Sequence, residues 1–69
     1  MNNVPISPTA TFGQNVQIGF NVIIGDHVKI GDNVLIDHNT IIRPNVVIGD
    51  NTEIRPFCFI AEAAEIGTL

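Results

Sequence analysis

The sequence predicts an all-β repeat protein in which a short strand and a tight turn recur every six residues. Three observations carry this reading. An apolar residue, isoleucine in all cases but one, returns at Ile6, Phe12, Ile18, Ile24, Ile30, Ile36, Ile42, Ile48, Ile54, Ile60 and Ile66. Two places before them stand small or β-branched residues, among them Val22, Val28, Val34, Thr40, Val46 and Thr52. No charged residue falls on either position, and no repeat is skipped or lengthened. An unbroken period of this kind is an architecture, and is read before anything else.

Each unit can be taken position by position, with the isoleucine as position one. Positions five and one are two residues apart, so in a strand they share a face. Because an unpaired buried charge is costly, the charge-free pair is the interior. Position six lies between them and faces outward: Thr11, Gln17, Ile23, Lys29, Leu35, Ile41, Val47, Glu53, Phe59 and Glu65. Such alternation marks a half-buried strand. Positions two to four hold turn chemistry. Position two is Gly at Gly13, Gly19, Gly25, Gly31, Gly49 and Gly67, and position four is often Asn. Both residue types accept a left-handed backbone, so the turn is expected to use them there. A helix is excluded, because a period of six does not hold one face of a 3.6-residue helix.

Sixty-nine residues make a single small unit with little core of its own. The lone Cys58 permits no internal disulfide, and two histidines without a cysteine pair give no zinc-finger spacing. Repetition and association are therefore the expected sources of stability. The net charge is -4, with Lys29, Arg43 and Arg55 the only cations, which argues against nucleic acid as a partner. Apolar runs are as short as Val34-Leu35-Ile36, so no membrane span is expected. The opening MNNVPISPTA does not read as a signal peptide. With a single thiol, the expected location is the cytoplasm.

The units IGDHVK, IGDNVL and IGDNTE, starting at Ile24, Ile30 and Ile48, match the pattern [LIV]-[GAED]-x-x-[STAV]-x. The chain therefore resembles the hexapeptide-repeat acyltransferases, which are left-handed parallel β-helices. The opening PISPTA is similar to the first coil of sugar and lipid A acyltransferases of that family. The resemblance covers residues 4–69 and corresponds to the N-terminal portion of such proteins. Phe12 at position one, and Arg43 and Arg55 at position two, depart from the pattern. The resemblance implies three units per triangular coil and about three and a half coils, spaced about 4.8 Å apart. Residues 1–3 are expected to fray, and residues 4–69 to form one solenoid truncated at its C-terminal end.

Stacking the units in threes sorts the outward residues by face. One face reads Pro5, Ile23, Ile41 and Phe59, apolar throughout, whereas the other two mix in charge. A registered apolar column on a surface is a contact site. We therefore expect Ile23, Ile41 and Phe59 in a subunit interface, and the resemblance implies a homotrimer. The stacking also defines three corners. The first, Gly13-Gln14-Asn15 and its two equivalents, is uniform. The second holds Asp26, His27 and Arg43, and the third holds Asp37, His38 and Arg55.

His38 is the catalytic candidate. The resemblance implies a histidine base that deprotonates an acceptor hydroxyl or amine. Against it stands the plainer reading, that an exposed corner accepts nearly any polar residue. Arg43 and Arg55 border the apolar face and are the substrate-binding candidates, because a guanidinium grips phosphate through its planar fork. Their plainer role is balancing Asp37 and nearby acids. Cys58 falls on an interior position and reads as packing. No metal site is expected, because His27 and His38 belong to different corners and coils. The resemblance implies transfer of an acetyl or acyl group from acetyl-CoA or acyl-carrier protein to a sugar amine or hydroxyl, with a nucleotide sugar as the small-molecule partner and no covalently bound cofactor. The other reading is a structural, oligomerising solenoid without activity.

Overall fold

A computed structural model describes residues 5–67. The expected fraying of residues 1–3 lies outside that range, as do Val4, Thr68 and Leu69. Among the described residues there is no helix, and strands of two residues recur every six: β1 (Thr11–Phe12), β2 (Gln17–Ile18), β3 (Ile23–Ile24), β4 (Lys29–Ile30), β5 (Leu35–Ile36), β6 (Ile41–Ile42), β7 (Val47–Ile48), β8 (Glu53–Ile54), β9 (Phe59–Ile60) and β10 (Glu65–Ile66). Each of β1 to β7 pairs in parallel with the third strand after it, giving sheets β1-β4-β7-β10, β2-β5-β8 and β3-β6-β9. An isolated bridge from Ile6 to Ile24 extends the last of these downward. Three strands thus make one coil, and the fold is the triangular, left-handed parallel β-helix that the resemblance implies.

Register follows the side chains. Ile24 lies on Ile42 and Ile42 on Ile60, while Ile30 lies on Ile48, so each isoleucine covers its counterpart one coil away. A slip of one residue would expose every one of them. Positions one and five are closed off in the middle coils: Val28, Ile36 and Val46 have no exposed surface. Besides Ser7, two buried residues are polar, and both find acceptors. Thr40 Oγ1 donates to the Arg55 carbonyl at 3.2 Å, and Thr52 Oγ1 to the Gly49 carbonyl at 2.9 Å. No buried side-chain polar atom among the described residues lacks a partner, as burial requires.

The corners are hydrogen-bonded from coil to coil as well. The Asn51 N–H donates to the Asp32 carbonyl at 2.8 Å, Asn45 to Asp26 at 2.9 Å and Asn39 to Phe20 at 2.9 Å. Position four is where the backbone turns left-handed: Asn15, Asn21, His27, Asn33, Asn39, Asn45, Asn51, Phe57 and Ala63 have φ between 58° and 64°.

The glycines correct the expectation drawn for them, since none has a positive φ. Gly13, Gly19, Gly25 and Gly31 are needed for space. A Cβ on Gly25 would lie 2.7 Å from Pro44 N and 2.8 Å from its Cδ. One on Gly13 would strike Asp32 Oδ1 and come within 2.7 Å of the Gly31 backbone. At Gly13, Gly19, Gly25 and Gly31 the next coil's turn folds down onto position two, whereas a Cβ on Gly67 would meet nothing within 4 Å.

Candidate functional site

The sheet β3-β6-β9 carries the apolar face, and the corners on either side of it carry the polar candidates. The structure brings Ile23, Ile41 and Phe59 into a single rung-by-rung column. Ile23 is 48% exposed and Phe59 66%, while Ile41 is half-buried between them. Beside the column lies a shallow groove of about 430 Å³, running from Pro5, Ile23 and Ile41 to Asp26, Arg43 and Pro44.

Along the second corner, Ser7 donates its hydroxyl to Asp26 Oδ1 at 2.6 Å. That is a short, charge-assisted contact. Thr9 Oγ1 lies 2.9 Å from Ser7 Oγ and accepts the His27 N–H at 2.9 Å. Ser7 is buried, so this pair forms a rigid polar end to the groove. Arg43 stands exposed at the groove's rim, and among the described residues it has no salt-bridge partner.

The third corner holds His38, and its geometry is specific. The Phe20 N–H donates to His38 Nδ1 at 2.7 Å. The imidazole stacks on the Phe20 ring, with centroids 5.0 Å apart and planes 10° from parallel. The His38 N–H donates to Asp37 Oδ1 at 2.8 Å, and Nε2 lies 3.7 Å from that same oxygen. A neutral imidazole whose Nδ1 accepts a hydrogen bond carries its proton on Nε2. The basic lone pair of His38 therefore faces a backbone N–H in this conformation, and to take a proton from an acceptor the ring must first release Phe20.

This contact has counterparts at the first corner. Asp32 Oδ1 accepts the Gln14 N–H at 2.8 Å, and Asp50 Oδ1 accepts the Asp32 N–H at 2.7 Å. Each of the three acceptors folds over a glycine of the preceding coil, Gly13, Gly31 and Gly19 in turn. His38 thus caps its corner as an aspartate does at the other. The pairing of a glycine at position two with an acceptor at position three one coil later is the sequence signal that reveals this.

Arg55 turns toward β8, with Nε 3.8 Å from Glu53 Oε2 and both side chains exposed. Asp37 is engaged with the His38 backbone, and neither arginine pairs with it. So Arg43 borders the groove at one edge of the apolar face, while Arg55 and His38 share the opposite edge. Cys58 is half-buried and free. No group of three or more potential metal ligands comes together among the described residues, and no helix there is long and apolar enough to cross a membrane.

Two features escaped the sequence reading. The Ser7–Asp26 contact joins consecutive coils, and only the three-unit coil brings it about. The other is Phe57, which occupies a left-handed position that Asn21 and Asn39 hold in the coils below and whose ring is 79% exposed. A phenylalanine in an asparagine column was the available signal.

Comparison with known families agrees with this geometry. The family described as "Bacterial transferase hexapeptide (six repeats)" matches residues 9–36 and 27–62. The matches cover more than half of the chain, which belongs to this family. Neither the comparison with curated proteins nor that with solved structures returned a match.

Proposed function

We propose that this chain is the N-terminal solenoid of an acyltransferase that moves an acetyl or acyl group from acetyl-CoA or acyl-carrier protein to an amine or hydroxyl of a nucleotide sugar. Membership of a transferase hexapeptide family supports the class. The observation that carries the site is the groove with Arg43 at its rim, without a salt-bridge partner among the described residues, and the Ser7–Asp26 pair at its end. An arginine free of intramolecular partners is available to a phosphate. A carboxylate already fixed by a hydroxyl can accept further hydrogen bonds from sugar hydroxyls. The column Ile23, Ile41 and Phe59 serves as the contact face of a homotrimer in this reading, and the setting is the cytoplasm.

Titration of the 69-residue chain with coenzyme A and with amino and hydroxyl nucleotide sugars tests the proposal. We expect millimolar or tighter binding of a phosphate-bearing ligand, weakened about tenfold or more by Arg43→Ala, the scale of a lost charged hydrogen bond. No binding of any of these ligands would overturn the groove assignment. The second reading, a structural and oligomerising module, is favoured by the engaged lone pair of His38. Turnover with labelled acetyl-CoA would overturn it.

A further inference from the structure

The corners are capped by one recurring contact, and at one place it is missing. Gln14, Phe20, Asp26, Asp32 and His38 are the position-three residues that carry an N–H and lie beneath a described corner. Asp32 Oδ1 accepts from Gln14, Asp50 Oδ1 from Asp32 and His38 Nδ1 from Phe20, each from one coil above. Above His38 stands Pro56, whose side chain offers no acceptor, and Asp37 supplies its Oδ1 from position two of the same turn, at 2.8 Å. Above Asp26 stands Pro44, and position two of its own turn is Gly25. Neither side chain has an acceptor to give. Among the described residues, the Asp26 N–H has no hydrogen-bond partner.

Asp26 does not fill the gap with its own carboxylate. The residue beneath it is Pro8, which has no N–H for it to cap. Its Oδ1 takes the Ser7 hydroxyl at 2.6 Å instead, so the side chain is tied to the lower coil. By the repeat, the Asp26 N–H faces the upper one. The next N–H, that of His27, is taken by Thr9 Oγ1. One backbone donor is left open, and Gly25, Asp26 and Pro44 all line the groove that Arg43 borders. At the equivalent positions Asp32, Asp50 and Asp37 present carboxylate oxygens. The turn therefore suits an anionic oxygen, as N–H groups gathered in such turns do. A hydrogen bond to an anion is also the stronger kind.

We infer that a phosphate oxygen of the ligand takes the place of the absent cap, accepting the Asp26 N–H while Arg43 holds the same phosphate group. The inference rests on the groove reading above, and adds to it a main-chain donor and a fixed place for the phosphate. Pro44→Asn returns a neutral acceptor to position three. Gly25 lies beneath Pro44 as Gly31 lies beneath Asp50, so the corner has room for it. Pro44→Ala removes the ring and returns no acceptor.

Amide NMR of the 69-residue chain, titrated with inorganic pyrophosphate, uridine diphosphate and coenzyme A, reads the site. The Asp26 amide should shift most among the corner amides. Pro44→Asn should weaken binding about tenfold or more, the scale of a lost charged hydrogen bond, and should melt higher than Pro44→Ala. Pro44→Ala should bind as the wild type does. The tighter of uridine diphosphate and coenzyme A identifies whose phosphate it is. No binding of any of the three would overturn the groove reading together with the inference. Binding that Arg43→Ala weakens, but that leaves the Asp26 amide unmoved or is unchanged in Pro44→Asn, would overturn the inference alone. So would a Pro44→Ala chain that binds as weakly as Pro44→Asn, or a Pro44→Asn chain that melts no higher than Pro44→Ala.

Discussion

The first and third corners are built from the same six-residue unit, yet one is uniform and the other is not. At the first, glycine, aspartate and asparagine repeat, with Asn15 Nδ2 donating to Asn33 Oδ1 at 3.2 Å and the Asp32 and Asp50 carboxylates capping backbone N–H groups. At the third, histidine replaces aspartate, phenylalanine and proline intrude, and Phe57 takes the asparagine's conformation. The backbone path is nonetheless the same, because the turn is set by a left-handed residue at position four, which both corners supply. The two corners therefore differ in what they display outward. One is polar throughout, whereas the other sets the exposed rings of Phe20 and Phe57 among Asp37, His38 and Arg55.

That comparison can be tested in order of expected effect. The core should not distinguish the corners. Ile36→Ala, on the strand entering the third corner, and Ile48→Ala, on a strand entering the first, should each lose about 2–5 kcal/mol in denaturant unfolding. A marked difference between them would show that one corner is held by its own contacts instead of by the core. Next come the glycines. Gly13→Ala meets backbone atoms of the next coil, whereas Gly19→Ala meets mainly the His38 ring. Overpacking of this kind costs about 1–3 kcal/mol. The Gly19→Ala loss should be largely relieved when His38→Ala is added, and the Gly13→Ala loss should persist when Asp32→Ala is added. A double-mutant cycle measures both couplings.

The caps follow. His38→Ala should cost about 1 kcal/mol, the worth of one hydrogen bond. His38→Asp, copying the first corner, should recover most of it, and nitrogen NMR should find the wild-type ring protonated at Nε2. Loss of transferase activity in His38→Asp without loss of stability would instead assign the ring a chemical role. The smallest effect belongs to the exposed Arg55–Glu53 pair, where Arg55→Ala should change stability by less than about 1 kcal/mol.

Much of this fold can be read from the residues, because the period is short and the interior excludes charge without exception. Ile30 and Val46 could be assigned to the core from spacing alone. The apolar column was legible for the same reason, since three-unit stacking puts Ile23, Ile41 and Phe59 in register. What stayed hidden lies between coils. The Gly19–His38 and Ser7–Asp26 relations join residues distant in sequence, and no periodic pattern says which way a corner side chain folds. His38 drew attention by its residue type, whereas its geometry depends on the missing Cβ of Gly19. The glycines were matched to the turns, but through a dihedral argument where the deciding quantity was the distance to the next coil.

Among the described residues, every strand finds its partner one coil away, and none within its own coil. A single coil is therefore not a folding unit, because nothing in it closes until another lies against it. The first stacked pair forms a nucleus against large loop-closure entropy, and each later coil adds to a template already laid down. Growth of this kind resembles crystallisation along one axis. It predicts a gradient in amide-hydrogen exchange, slowest at Ile30, Ile36 and Ile42 and faster toward both ends. A lesion such as Gly13→Ala would then be felt by the adjoining coils, while the opposite end kept its exchange rates.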